Sequence, residues 1–346
     1  MGRIIKKIGV NMAHFLTLGI ETSCDDTSVA VIEDGFKIRS NIISSQIDLH
    51  QRFGGVVPEL AARSHLEAIA PIYQLAMAEA GVAIQDIQLI ASTYGPGLVG
   101  SLLIGLSFAK GLALSTQIPF IGVNHIEGHI YANVLGHPEI KPPLLCLTVS
   151  GGHTDLLLME KWGSYQILGQ TTDDAAGEAF DKIARVLGLG YPGGPFIDKM
   201  ARGARDDLEF VQKGNFTGSY NFSFSGLKTA VINYIQHQKQ LGLELDVPRI
   251  AASFQKSAVT QLTVKLFHAV GHYDVDTILL SGGVAANSLL RDYCQRETKR
   301  LGKQLFFPEF KLCTDNAAMI AAAGYFHHLH EGPGDLNITA EPNLKL

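Results

Sequence analysis

Cysteine is scarce. Only Cys24, Cys146, Cys294 and Cys313 occur in 346 residues, and no two are spaced Cys-x-x-Cys, which excludes a disulfide framework and a thiolate zinc site. A reducing, cytoplasmic setting is expected. Long apolar runs are missing too: no stretch reaches about 18 uninterrupted apolar residues, so no membrane span and no membrane partner are predicted. Positive charge is in deficit. The formal net charge of -5 excludes a chain coated in basic surface for unaided nucleic-acid binding, leaving a local basic patch or a partner subunit as the way to hold RNA. No Gly-x-Ser-x-Gly elbow occurs and nothing marks a cysteine as a nucleophile.

What is present is apolar material, 46% of the chain, ample for two buried cores at about 150 residues per domain. The basic start Met1-Gly2-Arg3-Ile4-Ile5-Lys6-Lys7 runs into an apolar stretch as a signal peptide would. Asn11 and His14 interrupt it, however, and residues 21–26 read as structure rather than a cleavage site. Lys6 stands where myristoylation wants Ser or Thr, so Gly2 is expected to carry no lipid. Residues 1–11 read as a loose extension, with Met12 an alternative start.

Apolar patterning predicts strands over 15–20, 28–32 and, after Asp34-Gly35, 36–43. Leu60, Leu66, Ile69, Ile72 and Leu75 fall at helical spacing, predicting a helix over 58–80 that stops at Gly81. A strand over 87–92, a break at Gly95-Pro96-Gly97, an apolar helix over 98–114 and a strand over 118–123 follow. The second half repeats this grammar. Leu16-Thr-Leu-Gly-Ile-Glu-Thr-Ser, followed by Asp25-Asp26-Thr27, corresponds to Leu145-Cys-Leu-Thr-Val-Ser-Gly-Gly, followed by His153-Thr154-Asp155. The strand over 86–92 with its Gly turn and helix corresponds to that over 276–281 with Gly282-Gly283 and a helix from Asn287. The class is therefore α/β, with two related lobes and about 60 residues inserted in the second, including 203–242. Lys141-Pro142-Pro143 sets the boundary, giving lobes 1–142 and 143–346, with room for the last helix to pack back on the first.

In His125-Ile126-Glu127-Gly128-His129 two histidines lie four residues apart, on one face of a helix and about 6 Å from each other. They are either a metal pair or ordinary packed or solvated residues. A zincin would place its glutamate directly after the first histidine; here Ile126 stands there and Glu127 is turned about 100° further, which disfavours a protease. Ser150-Gly151-Gly152-His153 and Ser281-Gly282-Gly283 are Gly turns at strand ends, suited to an anion and together to a nucleotide, or else merely tight turns. Neither matches a P-loop or a dinucleotide fingerprint. Asp181, at i, i+3 from Glu178, and Asp198, one turn into a helix after Gly190-Tyr-Pro-Gly-Gly194, suit ribose hydroxyls or are solvated carboxylates. Asp315 precedes an Ala-rich helix over 317–324 and by default caps it; it becomes a third metal ligand only if the fold brings it to the histidines.

Taken in order, Gly-Ile-Glu-Thr-Ser-Cys-Asp-Asp-Thr (19–27), Gly-Pro-Gly-Leu (95–98), His-x-Glu-Gly-His (125–129), Ser-Gly-Gly-His-Thr (150–154), Gly-Gly-Pro (193–195), Phe-Ser-Phe-Ser-Gly-Leu-Lys (222–228) and Gly-Gly-Val-Ala-Ala-Asn (282–287) closely resemble the TsaD family of tRNA threonylcarbamoyltransferases. The resemblance runs from about residue 16 to about residue 324. It implies the duplicated two-lobe fold of the actin-like ATPases. It also implies transfer of a threonylcarbamoyl group from threonylcarbamoyl-AMP to N6 of the adenosine beside the anticodon, in tRNAs reading codons that start with A. His125, His129 and Asp315 would then hold one divalent ion per subunit, iron or zinc, and Thr148, Val149, Ser150, Gly151, Gly152, Asp181, Gly194, Asp198 and Asn287 would bind the adenylate. Implied partners are tRNA, a smaller paralogous actin-like subunit of the TsaB type and a P-loop ATPase of the TsaE type, the adenylate coming from a separate enzyme. Archaeal and eukaryotic members carry a Glu four residues after the aspartate of the Gly-Gly-Pro helix; here Arg202 stands there, which favours a bacterial-type member. No general base is assigned, His153 being a candidate or a turn residue. The alternatives are a kinase or ATPase of the same superfamily using Glu21, Asp25 and Asp26 for magnesium, and an inactive scaffold for a related subunit.

Overall fold

A computed structural model describes residues 14–210 and 218–346. The readings made for residues 1–11 and Met12, and part of the inserted 203–242 segment, lie outside them.

Strands β1 (Leu16–Glu21), β2 (Asp26–Glu33) and β3 (Lys37–Ser45) form an antiparallel meander, turned between β2 and β3 by Asp34 and Gly35 at φ 54° and 80°, a backbone region these two residues tolerate. The short α1 (Ile47–Gln51) leads to α2 (Pro58–Ala80), which starts with proline in its first turn and ends on Gly81 at φ 67°. Then come β4 (Leu89–Gly95), α3 (Val99–Thr116), β5 (Phe120–Asn124) and α4 (His125–Tyr131). The sheet order is β3-β2-β1-β4-β5, with β1, β4 and β5 parallel.

The second sheet has the same plan. β6 (Leu144–Val149), β7 (Thr154–Lys161) and β8 (Ser164–Gln170) are an antiparallel meander; α5 (Ala176–Val186), α6 (Gly193–Ala201), α7 (Ser225–Gln240) and α8 (Val247–His272) follow, then β9 (Thr277–Ser281), α9 (Ser288–Leu301), β10 (Gln304–Phe306) and α10 (Ala317–Glu331). Its order is β8-β7-β6-β9-β10, with β6, β9 and β10 parallel, so β6 takes the place of β1 and β9 that of β4, as the repeated segments imply. The extra length falls between β8 and β9 as added helices.

α3 is long and apolar enough to cross a membrane by length and composition, with mean hydropathy 1.4 over Val99–Thr116. In the fold it lies against β4 and α2, and its Lys110 donates to the carbonyl of Ile338. α10 packs on β1, β2 and β4. Small residues make this possible: Ala317, Ala318, Ala321, Ala322 and Ala323 are fully buried, and a Cβ on Gly19 of β1 would collide with the Ala317 carbonyl.

One strand residue carries a pH signature. Burial alone pushes Asp155 of β7 up from 3.8 to about 6. A raised carboxyl supports the fold below its unfolded pKa, and that support is lost as pH rises through the folded value. Asp155→Asn, neutral throughout, should therefore gain on the native chain between pH 4 and pH 8, by on the order of 2 kcal/mol in urea unfolding.

Candidate functional site

In both sheets the carboxyl ends of the parallel strands point into one cleft, a cavity of about 610 Å³ floored by the turns after β1, β4, β5, β6 and β9. Open α/β sheets place their ligands at such ends.

α4 begins directly at the end of β5. Asn124 caps it, its Oδ1 accepting the N-H of Ile126 (2.8 Å) and Glu127 (3.3 Å), and its Nδ2 donating to the Lys345 carbonyl (3.2 Å). The helix turns His125 and His129 towards Asp315: their Nε2 atoms stand 3.5 Å and 3.3 Å from Asp315 Oδ1. One ligand atom from each of the three lies within 4.8 Å of the others. Asp315 does not cap α10, as default capping chemistry suggests. Asn316 does, accepting from Met319 N-H at 3.1 Å, and the aspartate one position earlier faces the histidines.

Behind His125, its Nδ1 lies 3.1 Å from Glu21 Oε2 and 3.0 Å from Ser23 Oγ, while Glu21 also accepts from Ser23 N-H and Thr93 Oγ1. Glu21, named above as a magnesium ligand under the kinase reading, is thus fully buried against His125. Sequence reasoning missed this pairing because 104 positions separate the two; only the parallel β1, β4 and β5 bring them together. Burial alone would push the His125 imidazole down, but Asp315 and Glu21 outweigh it and hold it up, at about 9. Burial likewise pushes Asp315 up, and the two histidines outweigh it, holding the carboxyl at about 2.

The site fits a cation. His129 is 1% exposed, yet apart from the 3.3 Å approach of Asp315 to Nε2 neither ring nitrogen makes a hydrogen bond among the described residues. Buried polar atoms are seldom left so, and an orphan imidazole beside a second histidine and a carboxylate is the donor set of iron or zinc. The carboxylate behind His125 is the usual outer support of a metal-binding imidazole. Glu127 points the other way, to the hydroxyl of Tyr165 and to His327 Nε2 at 2.7 Å, so the zincin arrangement is absent.

The two Gly turns, far apart in sequence, are neighbours because β6 pairs with β9. A Cβ on Gly282, at φ 83°, would collide with the Val149 carbonyl, whereas one on Gly151 or Gly152 would meet nothing within 4 Å, and both residues line the cleft. The Ser150 turn is closed by its own N-H donating to the His153 carbonyl (2.8 Å) and by His153 N-H donating to Ser150 Oγ (3.1 Å). His153 lines the cleft as an imidazole that burial and the nearby histidines push down to about 4.

Ser150, Gly151, Gly152, Asp181, Gly194, Asp198 and Asn287 all line the cleft with the metal cluster. Thr148 and Val149 do not. Thr148 Oγ1 is 2.8 Å from Ser281 Oγ inside the sheet, and Val149 packs in the core, so these two carry the turn rather than face a ligand. Asp181 Oδ1 accepts Gly193 N-H at 2.6 Å. Asp198 Oδ1 accepts Ser288 N-H (3.2 Å) and Oγ-H (2.6 Å), and its Oδ2 lies 3.5 Å from Arg202. The first N-H of α9 is therefore already engaged by Asp198. Asn287 caps the same helix through Leu290 N-H and donates to Gln255 Oε1 at 3.0 Å.

Two sheets of one strand order, duplicated around a cleft lined by glycine turns, define an actin-like two-lobe protein. Solved structures agree on the fold: HypF from T. kodakarensis superposes with TM-score 0.60 at 14% identity over 91% of this chain and 48% of that one. Component A of the Acidaminococcus fermentans (R)-2-hydroxyglutaryl-CoA dehydratase superposes with TM-score 0.54 at 15% identity over 90% and 98%. Sequence comparison is more specific. Residues 37–322 match the family TsaD, tRNA N6-adenosine threonylcarbamoyltransferase. The tRNA N6-adenosine threonylcarbamoyltransferase of Caldicellulosiruptor bescii is 55% identical over 90% of this chain and 92% of its own, and that of Clostridium botulinum 51% over 95% and 97%. The chain belongs to the TsaD family.

Proposed function

We propose that this enzyme moves the threonylcarbamoyl group of threonylcarbamoyl-AMP to N6 of the adenosine beside the anticodon, in tRNAs reading codons that start with A, and that it does so in the cleft between the two sheets with a divalent iron or zinc ion on His125, His129 and Asp315. The observation that carries the metal is the orphaned, buried His129 facing His125 and Asp315. Such an ion would act as a Lewis acid on the transferred carbonyl.

The chain's own residues do the rest. The cleft-lining backbone of Gly151 and Gly152 suits the phosphate of AMP, and Asp181, on the same wall, suits a ribose hydroxyl. AMP is a competent leaving group, so positioning and charge stabilisation suffice and no protein nucleophile is needed. Burial and Asp25 push the Cys24 thiol well up, which keeps this cleft cysteine from serving as one. The magnesium trio of a kinase is not assembled, since Glu21 is spent on His125.

A smaller paralogous subunit and a P-loop ATPase are the proposed partners. Exposed Val99, Leu103 and Leu114, on one side of α3, supply an apolar face for the former, and the net charge of -5 is consistent with borrowing positive surface for tRNA. A cytoplasmic location fits the four free cysteines and the substrate. In the test, the purified chain with both partners receives threonylcarbamoyl-AMP and tRNA, and nucleosides are read by mass spectrometry. Threonylcarbamoyladenosine is the expected product; ATP turnover with no modified nucleoside would instead favour the kinase.

A further inference from the structure

Nothing in the cleft explains why Glu127 is buried. It stands between the two histidines in sequence, is 4% exposed, and faces away from them. Its Oε2 takes His327 Nε2 at 2.7 Å and its Oε1 takes the Tyr165 hydroxyl. His327 lies on α10, the helix that Asp315 precedes, and Tyr165 lies on β8 of the other sheet. α4 has only seven residues, and His129 has no hydrogen bond to fix its ring, so the aim of both histidines depends on how α4 is rotated about its axis.

Two contacts set that rotation. Near Asp315, Gly128 brings α4 close to α10, where a Cβ would come within 2.6 Å of Ile320 Cδ1. Seven residues beyond Ile320, about 10 Å along α10, His327 holds Glu127. Contacts so separated, about two turns apart on one helix, resist rotation better than either alone.

We infer that Glu127 and His327 form a positioning pair that registers α4 against α10 and so aims His125 and His129 at Asp315. This rests on the metal reading above. The pair touches neither substrate nor metal. It should act as outer supports of metal sites do, where a single loss lowers affinity roughly 10–100-fold.

Zinc(II) is titrated into the full chain against a chromogenic chelator, with the melting temperature of the metal-free protein recorded in parallel. Glu127→Ala and His327→Ala should each weaken zinc binding by about 10–100-fold, and the double variant no further than the worse single one. Glu127→Gln keeps an acceptor for Tyr165 and replaces the bond accepted from His327 with one donated to it as a neutral imidazole, so it should restore near-native affinity even if Glu127→Ala folds poorly. Native zinc affinity in both alanine variants, with only the melting temperature lowered, would overturn the proposal and leave the pair a stability feature. Failure of the native chain to take up one zinc would overturn the metal reading itself.

Discussion

His129→Ala should leave the chain folded, metal-free and inactive in tRNA modification. The imidazole is buried with Nδ1 unpartnered and Nε2 only 3.3 Å from Asp315 Oδ1 without a well-formed hydrogen bond, so in the metal-free protein it returns little for its desolvation cost. Removing it should change metal-free stability by about 1 kcal/mol or less in either direction, the lost packing and the removed polar burden offsetting each other. Metal changes the comparison. At a free concentration 1,000-fold above its dissociation constant a native-state ligand stabilises by about 4 kcal/mol, so zinc should raise the native melting temperature and leave the variant's unmoved. Nucleoside yield should fall by at least about 100-fold, the effect of several kcal/mol of lost transition-state stabilisation. Calorimetry with and without zinc checks the first part and mass spectrometry the second. A variant that still gains stability from zinc would move the ion elsewhere.

Gly19→Val is the second large effect, at a residue that lines neither the cleft nor the metal cluster. Gly19 lies in β1 under α10, where an added Cβ would collide with the Ala317 carbonyl and sit 2.9 Å from Ala321 Cβ. Both atoms belong to the helix rather than to a flexible side chain, so α10 must shift. Overpacking of this kind costs roughly 1–3 kcal/mol, occasionally more. Because Asp315 stands at the start of α10, the shift should also withdraw it from His125 and His129. Stability and zinc affinity should fall together in the order Gly, Ala, Val. A valine variant with native melting temperature and native zinc affinity would show that α10 seating does not govern the site.

Much of this was legible in the sequence wherever local physics decides. The helix over 58–80 carried its own proline start and glycine stop, and the strands that became β1, β4, β6 and β9 are apolar runs buried on both faces. The repeat in strand order followed from them. β8 escaped because it is an edge strand with little buried surface, so no alternation marks it, and α8 because it is buried on more than one face and shows no clean apolar stripe. Within the site, His125 and His129 followed from helical spacing. Glu21 as the support of His125 did not, since it depends on which strands lie side by side, nor did the choice of Asn316 over Asp315 as the cap of α10, since a one-residue shift in the helix start decides it. Thr148 and Val149 entered the expected adenylate set because a contiguous motif does not say where a strand ends and its turn begins; the side chains of β6 belong to the sheet, and only those from Ser150 onward reach the cleft.

We propose that the His125, His129 and Asp315 cluster serves transfer of threonylcarbamoyl to tRNA. It is tested most directly in bacterial cells depleted of their own enzyme of this family, by mass spectrometry of bulk tRNA nucleosides. The native chain should restore threonylcarbamoyladenosine, and a chain carrying both His125→Ala and His129→Ala, expressed to the same level, should restore none. Full restoration by the double variant would contradict the account.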